Sequence, residues 1–141
     1  MSLQNEYSLL DRSIESDVVP ACERHGLGIL PYFPLARGLL TGKYRRGEAG
    51  PEGARLSGRE EVADARTFDV VEALERYAEE RGVSLLEVAI GGLAAQPAVA
   101  SVIAGARRPD QIAGNATAAR WVPGEEDLRA LDEIAARGRS I

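Results

Sequence analysis

Cysteine, histidine and lysine are almost missing from this chain of 141 residues, which has Cys22, His25 and Lys43 and no other of each. A lone cysteine excludes an intrachain disulfide and fits a reducing cytoplasm. One histidine beside one cysteine is too few for a structural zinc site. No run approaches the roughly 18 consecutive apolar residues of a membrane-spanning helix. The first residues lack the basic-then-apolar pattern of a secretory leader, so none is expected. Positive charge is not in excess either: the net charge is -5, which argues against a nucleic-acid surface. What is present, 45% hydrophobic and 28% charged residues, is the balance of a soluble globular domain. The length suffices for one real core.

Periodicity divides the chain into alternating elements. Leu3, Asn5, Tyr7 and Leu9 alternate with polar residues, which predicts a strand over 3–9. Ser16 or Asp17 caps a helix that runs to His25, with Pro20 near its first turn and Gly26 as its stop. The run LGILPYF, 27–33, reads as a strand buried on both faces. A segment with six glycines and two prolines follows, from Pro34 to Thr67. About twenty-five of its residues lack a clear period, too many for an ordinary connection, and 43–66 is expected to be a lid or a long mobile loop. Helical spacing returns at Phe68, Val71, Leu74 and Ala78. Ser84 and Glu87 form a capping box for the next helix. Gly91 and Gly92 inside it cost roughly 1–2 kcal/mol against alanine, which predicts close packing there. VASVIAG, 99–105, reads as a third buried strand. Pro109 opens a further helix, and Leu128, Leu131 and Ile134 form the apolar stripe of the last. Strands alternating with amphipathic helices imply parallel pairing with right-handed crossovers.

The stretch GARRPDQIAGN, Gly105–Asn115, carries the most suggestive chemistry. Gly105 permits a tight turn, and Pro109 starts a helix whose free N–H groups face that turn. Two arginines there are unfavourable to the helix dipole by about 0.3–1 kcal/mol, which makes an anionic partner more credible. Gln111 and Asn115 lie four apart on one face. The plain alternative is an exposed arginine pair. Likewise Tyr32, taken alone, reads as a core aromatic, and Arg37 as a solvated loop residue. Lys43-Tyr44-Arg45-Arg46, Glu79-Glu80-Arg81 and Glu125-Glu126-Asp127 read as solvated charge runs. Cys22 reads as a buried small hydrophobe, and Trp121 as the packing of the last helix.

Three segments in order resemble the aldo-keto reductase family, nearest to its bacterial and potassium-channel β-subunit-like branch. QNEYSLLDR resembles its sixth barrel strand, GLGILPYFPLARGLLTGKY its seventh strand and the loop after it, and SVIAGARRPDQIAGN its eighth strand and adenosine-phosphate clamp. The resemblance implies an α/β fold, a (β/α)8 TIM barrel of which residues 1–141 would be a single C-terminal portion. Such a barrel needs about 250 residues. It also implies hydride transfer between NADP(H) and a carbonyl or alcohol. By resemblance, Tyr32 stacks on the nicotinamide, Gln4 meets its carboxamide, and Leu35 and Arg37 meet the pyrophosphate. Gly105, Arg107 (or Arg108), Gln111 and Asn115 hold the adenosine end, including its 2′-phosphate. Phe33 stands where many relatives carry serine, and Gly114 where glutamate is usual. The family's catalytic tyrosine, aspartate, lysine and histidine have no counterpart here, and His25 falls in a helix. The expectation is a cofactor-binding portion, inactive alone, with NADP(H) and a small carbonyl compound as ligands of the complete protein. A second expectation is a binding module that self-associates through open strand edges; a third is a decayed gene product.

Overall fold

Residues 1–59 and 62–138 are described by a computed structural model. Strand β1 spans Ser2–Glu6 and β2 Gly28–Tyr32, and they pair in parallel with Gln4 opposite Leu30 and Glu6 opposite Tyr32. Helix α1, Val18–His25, makes the crossover between them. The Asp17 carboxylate accepts from the Val18 N–H at 2.7 Å, and Gly26 adopts φ +62° to end the helix. The first strand is thus shorter than the sequence pattern predicts. Beyond Glu6 the chain turns inward, so Tyr7, Ser8 and Leu9 are all buried instead of alternating. The Ser8 hydroxyl accepts from the N–H groups of Leu10 and Asp11 to form that turn.

The third strand expected over 99–105 does not form. The segment still runs parallel to β2: Ile29 donates to the Ala98 carbonyl, Ala100 donates to Ile29, and Ile103 donates to Pro31. Only single bridges, Ile29 with Val99 and Tyr32 with Ile103, result. The cause lies in β2. Pro31 has no N–H to give, which breaks the ladder at its middle. The regular step of two would follow Ala100 with Val102, yet Ile103 makes the next bond, so one residue bulges out.

Helix α1 packs against β2, and four more α-helices follow it among the described residues. They are α2, Ala65–Arg81; α3, Leu85–Ala94; α4, Pro109–Ala118; and α5, Glu125–Arg137. Phe68, Val71, Leu74 and Ala78 of α2 are all buried, as their spacing requires. Leu74, Val88 and Leu131 join α2, α3 and α5 in the main core, into which Leu9 and Leu40 also reach. Tyr7, Ile14, Val19, Cys22, Ile29 and Leu93 form a second cluster beside α1. The capping box is present: Glu87 N–H donates to the Ser84 hydroxyl, and Ser84 N–H to the Glu87 carboxylate. Among the described residues no helix is long and apolar enough to cross a membrane.

Two charge runs do more than face solvent. Asp127 accepts from the Gly124 N–H and the Tyr77 hydroxyl, and pairs with Arg81, tying the start of α5 to the end of α2. Burial and the bond to Asp127 raise the Tyr77 phenol above its ordinary value. The Tyr77 and Gly124 donors hold the Asp127 carboxyl below its own. Arg12, also buried, pairs with Glu15 and with Asp132 of α5, while the Tyr7 hydroxyl donates to Glu15. These contacts anchor the turn after β1.

The glycine pair of α3 marks its closest packing. A methyl group at Gly91 would lie 2.4 Å from the Trp121 carbonyl oxygen, and one at Gly92 would lie 2.8 Å from the end of the Leu131 side chain. Backbone cannot yield as a leucine methyl can. Replacing glycine by alanine also gains about 1 kcal/mol of helix propensity. Gly91→Ala is therefore expected to lower the free energy of urea unfolding by about 1–3 kcal/mol, the usual cost of overpacking, and Gly92→Ala by clearly less. Equal losses would contradict the packing described. A second expectation concerns acid. A depressed carboxyl contributes stability that is complete above its ordinary pKa of 3.8 and disappears as pH falls through its folded value. Between about pH 5 and pH 2.5, Asp127→Asn should therefore lose less unfolding free energy than the unaltered chain. Parallel losses in the two proteins would exclude this linkage.

Candidate functional site

The C-terminal ends of β2 and of the 99–103 segment lie side by side, because Tyr32 bridges Ile103. Residues paired across parallel strands point to the same side, as do residues two apart. Gln4, Glu6, Leu30 and Tyr32 therefore share one face, and Ile29 and Pro31 turn to the helices. The Tyr32 ring is 38% exposed at the strand tip, with Ile103 beside it 42% exposed. Tyr32 is thus not the core aromatic that its setting alone suggests. The Phe33 ring meets it edge-on, with centroids 5.4 Å apart.

The chain leaves β2 through an unusual turn. Phe33, Ala36 and Arg37 have φ of +54°, +46° and +58°, and Gly38 has +102°. Non-glycine residues in this region are strained by about 1–3 kcal/mol each, a feature concentrated at functional sites. The turn is held by Ala36 N–H donating to Phe33 and Gly38 N–H donating to Leu35. It lays the Arg37 guanidinium over the Phe33 ring at 5.6 Å, while Arg55 approaches the same ring at 4.6 Å. Lys43 packs on the Tyr44 ring at 5.2 Å, and its side chain comes within 3.0 Å of where a methyl on Gly38 would lie. Positive groups from two stretches of chain thus converge on one strand tip. Sequence reading singled out Arg37 but missed Arg55 and Lys43. Their role depends on how the long loop returns, for which no local pattern codes.

The start of α4 answers which of the two arginines is uncommitted. Arg108 forms a two-point pair with Asp110, at 3.1 and 3.0 Å. That pair raises Arg108 and lowers the Asp110 carboxyl. The Arg107 guanidinium has no hydrogen bond or ion pair among the described residues. Gln111 plays an unforeseen part: its side-chain oxygen accepts from the N–H groups of both Arg107 and Arg108, at 2.8 and 3.2 Å. It thereby satisfies donors that this helix start would leave free. Asn115 lies one turn on and is half-buried. Gly105 has open space on the side where a Cβ would project. Leu35 is half-buried at the turn after β2. His25 is exposed in the last turn of α1, apart from this cluster.

These donors suit a ligand that is flat at one end and anionic elsewhere. An exposed ring can stack, and three guanidiniums (those of Arg37, Arg55 and Arg107) can take phosphate oxygens in pairs. Among the described residues no cluster of histidine, cysteine and carboxylates could hold a metal ion. Two cavities lie elsewhere. One of about 420 Å³ is lined by Leu10, Arg12, Asp64 and Ala135, and one of about 350 Å³ by Arg46, Val62 and Phe68. None of Tyr32, Arg37 and Arg107 lines either.

Comparison with known proteins bears on the fold as a whole. Residues 1–136 match the profile of the Aldo/keto reductase family. A probable voltage-gated potassium channel subunit beta from Oryza sativa is 40% identical over 129 residues, covering 85% of this chain and 38% of that protein. The NADH-specific methylglyoxal reductase of Escherichia coli is 28% identical over 137 residues, covering 94% and 41%. Among solved structures, glycerol dehydrogenase from Gluconobacter oxydans superposes with a TM-score of 0.81 at 31% identity, covering 97% of this chain and 42% of that one. The chain spans about two-fifths of the length of the curated relatives it matches. With parallel strands, their tips aligned, and a family match from end to end of the described fold, this chain belongs to the aldo/keto reductase family.

Proposed function

We propose that this chain is the cofactor-gripping C-terminal portion of an oxidoreductase that reduces aldehydes or ketones with NADP(H). The observation that carries the reading is an exposed tyrosine ring at a strand tip where Arg37 and Arg55 meet over Phe33, beside the 99–103 segment that leads on to the uncommitted Arg107. Tyr32 would stack on the nicotinamide and Gln4, on the same face, would take its carboxamide. Leu35, Arg37 and Arg55 would border the pyrophosphate. Gly105 would let the backbone approach closely. Arg107 would take the 2′-phosphate, while Gln111 and Asn115 flank the adenosine. The cofactor supplies the hydride; the residues of this chain bind and orient it. No residue here is assigned a proton-donating role, so the chain alone is expected to be inactive toward carbonyl compounds.

A second reading, association of like chains, rests on a separate observation. The outer edge of β1 has no strand beside it among the described residues, and Leu3 on that strand is 40% exposed. Unpaired edges invite pairing. The lone cysteine, buried at Cys22, suits a reducing cytoplasm.

Titration of the chain with NADPH and NADH, followed by nicotinamide fluorescence, tests the first reading. NADPH is expected to bind more tightly. Arg107→Ala should weaken NADPH by about ten- to a hundredfold, as expected for loss of a bond to a charged group, and leave NADH unchanged. Equal affinity for the two nucleotides, or an Arg107→Ala protein with undiminished NADPH affinity, would remove the 2′-phosphate assignment. Sedimentation velocity tests the second reading: association is expected to grow with concentration and to fall when Leu3→Lys places a charge beside the β1 edge. A monomer at every concentration would exclude it.

A further inference from the structure

The long segment after β2 has a small core of its own. Tyr44, Leu56 and Phe68 are buried together, with Ala54, Val62 and Ala63 packed against them. The Leu56 N–H donates to the Tyr44 hydroxyl at 3.2 Å, and Gly50 bridges Ser57. Tyr44 therefore is not the solvated residue its charged neighbours suggest. Arg46 is not solvated in the ordinary sense either. Its guanidinium donates to both oxygens of Glu72 at 2.8 and 3.0 Å, to Asp69 at 2.7 Å and to the Ala65 carbonyl at 3.2 Å. It also lies 5.8 Å from the centre of the Phe68 ring. Arg45, the more exposed of the two arginines, adds a longer pair with Glu75 at 3.1 Å. Single exposed ion pairs contribute little, but a planar guanidinium forked across several acceptors is the geometry in which they count.

The other end of this segment has a lighter attachment. Arg55, next to Leu56, reaches back to the strand tip and lies over Phe33, with no hydrogen bond or ion pair among the described residues. A continuous path thus runs from α2 through Arg46, Phe68 and the small core to Leu56, and from there to Arg55 at the tip. We infer that Arg46 is a positioning residue: by clamping 44–57 to α2 it sets Arg55 across the strand tip and so slows departure of a bound dinucleotide. This rests on the cofactor reading above. Arg46 touches nothing at the tip and acts only through the segment it fastens. Its ion pairs being exposed, the clamp loosens with salt, since the screening length falls from about 10 Å at 0.1 M to about 3 Å at 1 M.

Two measurements separate the clamp from the cofactor reading. In the free chain, hydrogen exchange of the amides of residues 47–57 should rise about tenfold in Arg46→Ala, with α3 amides unchanged, as for a locally opened unit. Arg46→Lys, which keeps the charge but not the fork, should fall between. Unchanged exchange in Arg46→Ala overturns the clamp whatever the chain binds. With NADPH bound, stopped-flow dissociation should quicken about tenfold in Arg46→Ala and in Arg55→Ala, with association rates little altered. The double variant should be no faster than Arg55→Ala, because both act at one point. Additive acceleration, or a drop in the thermal midpoint that alone accounts for the faster release, overturns the positioning role. If the unaltered chain binds no NADPH, the cofactor reading fails and the retention role with it, while the exchange result still judges the clamp.

Discussion

Ile29 is fully buried, and its backbone works in two directions. Its strand pairs with β1 on one side, while its N–H and carbonyl engage Ala98 and Ala100 on the other. This central ladder sets the heights of three chain segments against one another. Parallel register decides which residues emerge together at the tips, and a slip of one residue would turn Tyr32 and Gln4 to the helices. Everything proposed for the site requires that alignment. The ladder is also imperfect. Pro31 interrupts it just before the tip, and the 99–103 segment bulges there, so backbone is irregular where a ligand would approach.

Helices meet this ladder at Ile29, which is buried in one cluster with Val19 and Cys22 of α1 and Leu93 of α3. The main core joins α2, α3 and α5, and the close contact of α3 with Trp121 fixes the chain that links α4 to α5. Ion pairs add direction more than strength. Arg12 links the turn after β1 to Asp132, and Asp127 links α5 to Tyr77 and Arg81. Arg12 is the buried member, and loss of its acidic partners would leave its charge in a poorly solvated place. The candidate site thus rests on rigid packing, with Tyr32 on a strand tip while Arg37, Arg55 and Arg107 lie on the connecting segments.

Local patterns made much of this legible. The stripe Phe68, Val71, Leu74 and Ala78, the Ser84 and Glu87 box, the stop at Gly26, and the tight packing of Gly91 and Gly92 all follow from short-range rules. The parallel order of the segments followed as well. What was not legible depended on partners distant in sequence. Arg46 meets Asp69 and Glu72, and Arg45 meets Glu75, more than twenty residues on, and all read as solvent-facing charges until the chain is folded. The role of Arg55 was hidden for the same reason. The third strand failed because alternation and apolarity do not register that a neighbouring strand lacks a donor at Pro31. Strand β1 ended early because Ser8 offers its own hydroxyl to the backbone, a competition that hydrophobicity cannot reveal.

Gln111 sets the polarity of the entrance to α4. Its amide oxygen is saturated by two main-chain protons at the threshold of α4. The orientation of the group is therefore set, and what it can still offer outward is its NH2. A neighbour bearing lone pairs, such as a ring nitrogen or a hydroxyl oxygen, meets a willing proton there; an amino group meets another proton source and is turned away. One side chain thus stiffens the helix entrance and at the same time gives that entrance a chemical taste.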